Sequence, residues 1–315
     1  MRLPILTSLT DAALQNFPPS RRRARLTGRP RSIGVVVSTY NNPAWLEKTL
    51  WGYLNQHFDR FPLEFLIADD GSGDETGALL DRVRAESGAN IKRIWIPDDG
   101  FQKCRVLNLA VEAAESEYLI FTDQDCVARP DLVETHYRAA QRGWFVSGGY
   151  VKLPLELSRA LTREDVETGR CFSLRWLRER GLKIRPFSAL KLVESPFLAA
   201  LLNWTTPTLA SWNGCCSSCW KDDFYKVNGF NEKMRYGGLD REFGERLANL
   251  GVRGKQLRYS LVNLHLDHKR PYATRESIEK NRKIRAEIRK TKQIRTPNGI
   301  VKAEESPTAD APNDV

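Results

Sequence analysis

EYLIFTDQDC, residues 117–126, sets an apolar run directly against two carboxylates, Asp123 and Asp125, one residue apart. Like charges that close repel, and taking them out of water is costly unless a cation lies between them. A polar turn after a buried strand accounts for the pattern, and so does a divalent metal held by the pair. On the six residues 121–126 alone the turn is the more economical reading.

The residues upstream change that balance. IGVVVS (33–38) is a short, β-branched, buried-type strand, and Pro43 opens the amphipathic stretch AWLEKTLWGYLNQHF. LEFLIADD (63–70) is a second strand, followed by glycine-rich GSGDETG and helix-like ALLDRVRAE. IKRIWIP (91–97), QKCRVLNLAVEAAE and EYLIF (117–121) continue as strand, helix and strand. Strand–helix units of this length imply right-handed crossovers and an α/β fold with a mainly parallel sheet covered on both faces. Ligands bind such sheets at the carboxyl ends of the strands. Those ends carry Ser38-Thr39-Tyr40-Asn41, Asp69-Asp70-Gly71-Ser72 and Asp123-Gln124-Asp125, small polar groups and carboxylates that converge on one edge. In that setting the pair at 123 and 125 becomes a candidate site.

The second half is less regular. Residues 152–210 mix charge with aromatics, as in SLRWLRERGLKIRPFSALKLVESPFLAALLNW, and predict helices and loops forming a lid or acceptor-binding insertion. Cations beside Trp and Phe suit a membrane interface, although ordinary amphipathic helices look the same. SWNGCCSSCW reads as strand-like. In YGGLDREFGERLANLG (236–251) a Gly237-Gly238 turn leads into a helix with Phe243, Leu247 and Leu250 on its buried face and Gly251 at its end. KQLRYSLVNLHLDH (255–268) reads as one closing strand. Beyond Tyr272, RESIEKNRKIRAEIRKTKQIR predicts an exposed helix, and the last ~20 residues, rich in Pro, Asp, Glu and Ala, a disordered tail.

The chain has 315 residues, 41% hydrophobic and 28% charged, enough for one large domain or two modest ones with a real core. Its net charge of +10 is concentrated at the ends. RRRARLTGRPR (21–31) carries six Arg and no acid, and residues 269–295 carry eleven Lys/Arg against three Glu. Such ends suit an anionic membrane face or nucleic acid, and equally a solvated charge run. The six Cys, at 104, 126, 171, 215, 216 and 219, follow no secretory signal, since Met1–Phe17 holds only Arg2 as a basic residue and lacks a continuous apolar core. A reducing, cytoplasmic setting is expected, with the thiols packed as small hydrophobes. Cys216-x-x-Cys219 with His265 and His268 is a weak zinc pattern, and core packing is the better reading. No run reaches the roughly 20 apolar residues that span a bilayer. The longest, PFLAALLNW (196–204), is far too short, so the chain is expected to be soluble or to sit on a surface.

VVVSTYNNPAWLEKTL, FLIADDGSGDET and GFQKCRVLNLAVEAAESEYLIFTDQDC, in that order and spacing, resemble the nucleotide-binding half of family 2 glycosyltransferases of GT-A fold. NGFNEKMRYGGLDREFGERL resembles the acceptor-side segment of the galactosyltransferase and chondroitin-polymerase branch. The resemblance covers roughly 33–150 and 211–270. It implies a basic extension (1–31), a catalytic domain (32–270) made of a nucleotide-sugar half (32–150), an insertion (151–210) and an acceptor half (211–270), and a basic helical then disordered tail (271–315).

The resemblance also implies a chemistry. A nucleotide sugar releases a diphosphate, whose charge a divalent metal neutralises as a Lewis acid. Asp125 matches the last carboxylate of the family's DxD and is the expected ligand, with Asp123 binding the ribose or the metal through water. Oxygen ligands favour Mg²⁺ or Mn²⁺. Of His265 and His268, which lie three apart on the supposed strand, one is expected to point inward, and the family pattern favours His268. Thr39, Tyr40 and Asn41 should line the nucleoside pocket, and Asp70 should bond the base or ribose. Gln102 stands where relatives carry an Arg, leaving Lys103 and Arg105 as donor-site cations. Asp240 aligns with the catalytic base of an inverting transfer, kept ionised at a helix N-terminus. An N-cap is the bland alternative for it. Gly238 and Glu242 are expected at the acceptor, while Leu239 replaces an acid found in relatives.

The reading is therefore an inverting, metal-dependent glycosyltransferase that moves a sugar from a UDP-linked donor to a saccharide or lipid-linked acceptor in cell-surface glycan synthesis. It would sit in the cytoplasm, in peripheral contact with the anionic inner face of the membrane, with no nucleic-acid partner. A sugar nucleotidyltransferase is the rival enzyme, but it would want a glycine-rich phosphate loop where STYNNP stands. A nucleic-acid or membrane-binding protein working through its basic ends is the non-enzymatic rival.

Overall fold

All seven residues of β1 (Ile33–Thr39) are buried, as expected of a strand with both faces covered. In the computed structural model, which describes residues 28–269 and 273–302, this strand is the axis of the fold. It pairs in parallel with β2 (Glu64–Asp69) on one side and β4 (Tyr118–Asp123) on the other, and β2 pairs in parallel with β3 (Asn90–Trp95). The crossovers are α1 (Pro43–Leu54), α2 (Asp74–Ser87) and α3 (Lys103–Ala113). Asn42 caps α1 by accepting from the Trp45 amide at 3.3 Å, and Pro43 supplies a first residue with φ already set.

After β4 the chain changes sheets. β5 (Cys126–Ala128) leaves the main sheet, α4 (Leu132–Ala139) follows, and β6 (Trp144–Ser147) returns to it while β7 (Gly149–Lys152) does not. Four short helices between residues 155 and 189 and the longer α5 (Pro196–Thr205) form the insertion. Then β8 (Ser217–Trp220), a short helix (Lys221–Lys226), α6 (Leu239–Asn249), β9 (Arg253–Gln256), β10 (Val262–His265) and α7 (Arg275–Thr291) follow among the described residues. The main sheet runs β3-β2-β1-β4-β8-β6-β9, and a second sheet runs β5-β10-β7. Because β8 lies between β4 and β6, antiparallel to both, the earlier and later parts of the chain share one sheet.

Two expectations need correcting. Residues 255–268 are two strands in different sheets, because the backbone turns tightly between them, with the Ser260 and Leu261 amides both donating to the Leu257 carbonyl. The basic helix α7 is docked, not free. It packs on α6 through Glu245, which accepts from Arg285 at 2.6 Å and Arg289 at 3.3 Å, and it buries Ile288. The Arg-rich stretch before residue 28 and the tail after residue 302 lie outside the described residues.

Two apolar layers cover the main sheet. On the α3 face, Phe121, Trp212, Phe224, Phe230 and Phe243 interlock, with ring centroids 4.7 Å apart for Trp212–Phe243 and 4.5 Å for Phe230–Phe243. Each fully buried ring is worth about 1.5–3 kcal/mol, and together they seat α6 against the sheet. All six Cys are unpaired and buried, in keeping with their reading as core residues. Among the described residues no helix is long and apolar enough to cross a membrane.

Candidate active site

The segment 123–126 is the junction between the two sheets, and its geometry follows from strand register. Asp123 ends β4 opposite Ser38 of β1. Its Oδ1 accepts from Ser38 Oγ at 2.7 Å and from Lys103 Nζ at 2.5 Å. Gln124 serves the loop after β1: its Oε1 accepts from Thr39 Oγ1 at 2.5 Å and the Tyr40 amide at 3.0 Å, and its Nε2 donates to the Tyr40 carbonyl at 3.0 Å. Asp125 is buried and faces the end of β10, where His265 lies opposite Cys126 and the Leu266 amide donates to the Asp125 carbonyl at 2.8 Å.

Both histidines turn towards Asp125. His268 Nε2 lies 2.7 Å and His265 Nε2 3.6 Å from Asp125 Oδ2, and the two rings stack with an interplanar angle of 10°. The expectation that only one would face inward fails because β10 ends at His265, so strand alternation no longer governs His268. Each Nδ1 is 2.9 Å from a backbone carbonyl, of Leu266 and of Lys269. A carbonyl can only accept, so Nδ1 carries the proton in both rings and the Nε2 lone pairs are aimed at the carboxylate. Two lone-pair donors and an anion at such distances require a proton or a metal cation between them. The ligand atoms of Asp125, His265 and His268 all lie within 4.8 Å of one another, and one carboxylate with two imidazoles suits a divalent transition metal such as Mn²⁺. Asp123 is already committed to Lys103 and Ser38.

At the neighbouring strand ends the two consecutive aspartates divide their roles. Asp69 is fully buried and ion-paired to Arg93 at 2.7 Å. Asp70 accepts from the Gln102 amide at 2.9 Å while its Oδ1 is buried without a partner. Burial, with smaller contributions from Asp98 and Asp69, pushes the Asp70 carboxyl up to about 6 against the opposing pull of the Gln102 amide and Lys103. Tyr40 is exposed above it, its hydroxyl donating to Asp98 at 2.9 Å. Asn41, at φ +43°, ties the β1 and β2 loops together, donating its amide to Ser72 Oγ and accepting from the Gly73 amide through its side chain. Arg105 is exposed and bonded to Gln102. Two residues from Lys103 is roughly 200° around a helix, so Arg105 stands outside the Asp123–Asp125 cluster, beside Gln102.

The last component arrives from the far end of the chain. Gly237 and Gly238, at φ +102° and +100°, make a corner that only glycine adopts easily, and Gly238 is the N-cap of α6. Asp240 is therefore not the cap. Its side chain lines a small cleft together with Lys103, Asp123 and Gly214. A Cβ at Gly214 would lie 2.3 Å from Asp240 Oδ1, so the close approach needs glycine there. Burial pushes the Asp240 carboxyl up to about 6, with Asp123 adding to the rise and Lys103 and the Gly214 backbone opposing it. The helix dipole does not prevent the rise, but the group remains mainly ionised at neutral pH. Lys103 itself is penalised by burial, yet Asp123, Asp240 and Asp125 outweigh that and hold it far above the ordinary lysine value.

Behind this corner, Asn281 of α7 donates to the carbonyls of Arg235, Tyr236 and Gly237 at 2.8, 3.2 and 3.0 Å. Neither Gly214 nor Asn281 was singled out from sequence. The only cues were a lone glycine in SWNGCC and an Asn in a stretch that reads as exposed. Glu242, expected at the acceptor, is fully buried and paired with Arg246 by two hydrogen bonds of 2.8 Å, while Arg246 also donates to the Val227 and Gly229 carbonyls. It lies about 200° around α6 from Asp240 and holds the helix to the core. Gly238 and Asp240 instead border a cavity of about 360 Å³ that extends towards Tyr150, Trp212 and Arg258.

Comparison with known proteins gives the same outline. Residues 34–184 match the family model described as glycosyl transferase family 2, and residues 202–269 the model described as the N-terminal domain of galactosyltransferase. The chondroitin synthase of Pasteurella multocida (strain Pm70) is 25% identical over 242 residues, 70% of this chain and 23% of that protein. Validoxylamine A glucosyltransferase of Streptomyces hygroscopicus subsp. jinggangensis (strain 5008) is 28% identical over 238 residues, 70% of this chain and 52% of that protein. The chain thus spans well under two thirds of these relatives. Among solved structures, the mannosyltransferase PcManGT from Pyrobaculum calidifontis, in complex with GDP-Man and Mn²⁺, has a TM-score of 0.52 at 20% identity, over 85% of this chain and 65% of that one. TarS 1–349 of S. aureus in complex with UDP-GlcNAc has a TM-score of 0.54 at 15% identity, over 81% and 65%. At these identities the likeness establishes the fold, GT-A.

Proposed function

The chain belongs to glycosyltransferase family 2, and from that premise we propose that it carries out an inverting, divalent-metal-dependent transfer from a UDP-linked sugar to a saccharide or lipid-linked acceptor in glycan or polysaccharide synthesis. The observation that carries the proposal is the cleft lined by Lys103, Asp123 and Asp240, next to the Asp125–His265–His268 cluster. A leaving diphosphate and an attacking hydroxyl have to be served within a few ångströms of one another, and here the groups suited to each are neighbours.

In this reading residues 32–150 form the nucleotide-sugar half and 211–270 the acceptor half. Tyr40, the Thr39 backbone and the unpartnered Oδ1 of Asp70 receive the nucleoside, and Asp123 receives the ribose. Asp125, His265 and His268 would hold Mn²⁺ or Mg²⁺. When bound, that ion neutralises the charge developing on the diphosphate. Asp240, ionised above about pH 6, takes the proton of the acceptor hydroxyl as its oxygen attacks the anomeric carbon from the face opposite the departing diphosphate. The charge of Lys103 favours the ionised form of Asp240. Gly238 lets the acceptor approach the base closely.

The insertion supports peripheral membrane contact. Phe187, Phe197, Leu198, Leu201, Trp204 and Leu209 are exposed on or beside α5, and the preceding stretch carries Arg175, Arg178, Arg180, Lys183 and Arg185. Apolar side chains flanked by cations suit the headgroup region of an anionic inner leaflet, which would place the protein on the cytoplasmic side.

The test is hydrolysis of a panel of UDP- and GDP-sugars by the full chain, with Mn²⁺, with Mg²⁺ and with chelator, alone and with saccharide acceptors. Metal-dependent turnover of a UDP-sugar is expected. Turnover unchanged by chelator, or no nucleotide binding with either metal, overturns the proposal.

A further inference from the structure

We infer that the cavity beside Asp240 is a subsite for an anionic group, a carboxylate or phosphate ester carried by the sugar that enters there. The inference rests on the reading of Asp240 as the base and adds the charge of its substrate.

The cavity, about 360 Å³, is lined by three cations, Lys191, Arg241 and Arg258, with Asp240 as the only carboxylate of the lining. Among the described residues none of the three cations is ion-paired to a carboxylate. Elsewhere in the insertion and tail, Arg163, Arg175 and Arg275 each hold a Glu one turn away at 2.6 to 2.9 Å. Those arginines sit on the surface, where pairing matters least. Lys191 and Arg258 sit half-buried, where leaving charges uncompensated is expensive.

The three come from separate parts of the fold. Lys191 belongs to the insertion and is fixed by donating to the Tyr150 carbonyl at 2.9 Å, with its ammonium 5.5 Å from the Tyr150 ring centroid. Arg258 follows β9, and its Nε is buried with no hydrogen-bond partner. Arg241 follows Asp240 on α6. Lys191 and Arg258 are close enough to repel. Burial first, and then the charge of Arg258, lower the Lys191 ammonium from its usual value. Like charges gathered at a cavity wall, one with an orphaned donor, are stabilised by an anion placed between them. A neutral saccharide would leave them as they are. Gln256, which donates to the Ser147 and Gly148 carbonyls at 3.2 and 3.1 Å, holds the floor of the cavity and adds no charge.

The anion has two sources, the acceptor sugar or the donor sugar, and the experiment separates them. Methyl β-D-glucuronide, glucose 6-phosphate and methyl β-D-glucoside are titrated into the full chain by saturation-transfer NMR, both alone and with UDP and Mn²⁺ present. UDP-glucuronate and UDP-glucose are compared as competitors of UDP. An anionic probe is expected to bind at least about tenfold more tightly than the glucoside. Arg258→Gln and Lys191→Gln should each erode that advantage, and Arg258→Lys should restore part of it. An advantage seen only for UDP-glucuronate supports the subsite and assigns the anion to the donor. Equal binding of charged and neutral probes in both arms overturns the inference, as does an advantage that survives the Arg258→Gln/Lys191→Gln double substitution. Failure of UDP and Mn²⁺ to bind would count against the function proposed above, while the saccharide arm without nucleotide would still decide this one.

Discussion

The two sides of the site are finished differently. On the donor side the charged groups close on one another: Asp123 has Lys103 and Ser38, Asp69 has Arg93, and Asp125 has both histidines. On the acceptor side the polar atoms are left open, with Asp240 Oδ1, Arg258 Nε and Trp212 Nε1 all buried and unpartnered. The donor edge is held together by its own bonds before any ligand arrives. The acceptor corner keeps unsatisfied groups in place by packing and by glycine corners, which leaves their bonds to be made by substrate. The donor side also has an exception in Asp70 Oδ1, the atom expected to meet the nucleoside.

The largest effects should come from breaking each side in turn. Asp125→Ala is expected to abolish transfer and the metal-dependent part of UDP affinity together, because it removes the residue on which both histidines converge. Asp240→Asn is expected to lower kcat by about 10²–10⁴-fold, the usual range for a lost general base, with UDP–Mn²⁺ affinity unchanged by calorimetry. If Asp240→Asn transfers normally, the base is elsewhere. If it loses nucleotide affinity as well, the two sides are not independent.

Gly214→Ala addresses the join between them. Its Cβ would lie 2.3 Å from Asp240 Oδ1 and 3.0 Å from Oδ2, so the carboxylate must shift by a large part of an ångström. A misplacement of that size costs on the order of 10²-fold in rate. The loss is expected in kcat, with circular dichroism and UDP binding close to wild type.

The donor edge was legible in sequence because most of what makes it lies near strand ends, where continuous apolar runs and the end-of-strand rule act together. Thr39, Asp70 and the 123–125 pair stand at such strand ends, while Lys103 enters only through the family resemblance. The acceptor corner was legible only as a resemblance around Asp240. Glu242 is expected at the acceptor from the resemblance, and only in the fold does it become the buried partner of Arg246, whose guanidinium also meets the Val227 and Gly229 carbonyls. The charge of α7 disguised its docked face, since Ile288 and Asn281 are spaced for contact but outnumbered by Lys and Arg. His268 escaped a strand-based argument because the strand stops three residues before it.

The pH profile separates the two sides by a smaller factor. Asp70 and Asp240 both titrate near 6, pushed up mainly by burial. Below that value Asp240 is protonated and cannot accept a proton, so kcat should fall about tenfold per pH unit. The Asp70 transition should appear in the KM for the nucleotide sugar and vanish in Asp70→Asn, leaving the kcat limb in place. Stability should move the opposite way. A carboxyl whose folded pKa is raised binds its proton more tightly when folded, so its contribution is lost as pH rises from about 4 to 6 and stays lost above. Asp240→Asn should therefore raise Tm at pH 7 and leave it nearly unchanged at pH 4.

Asn281→Ala should give the mildest change and asks whether the corner before Asp240 needs support from α7. The amide spans three successive carbonyls, of Arg235, Tyr236 and Gly237, immediately before the corner that sets Asp240. Removing it leaves the part-buried Arg235 and Gly237 carbonyls short of a donor, while Tyr236 keeps Ser277 Oγ, at about 0.5–1.5 kcal/mol of stability, seen as a lower midpoint in urea. If α7 only adds stability, kcat at a temperature where the variant stays folded will equal wild type. If it also holds the corner, kcat will fall several-fold while UDP–Mn²⁺ affinity does not. The second outcome is expected, because Gly237 and Gly238 both sit at positive φ and have no side chains to fix them. Restored activity in Asn281→Gln, whose longer amide can still reach one carbonyl, would attribute the loss to the hydrogen bonds and not to the volume removed.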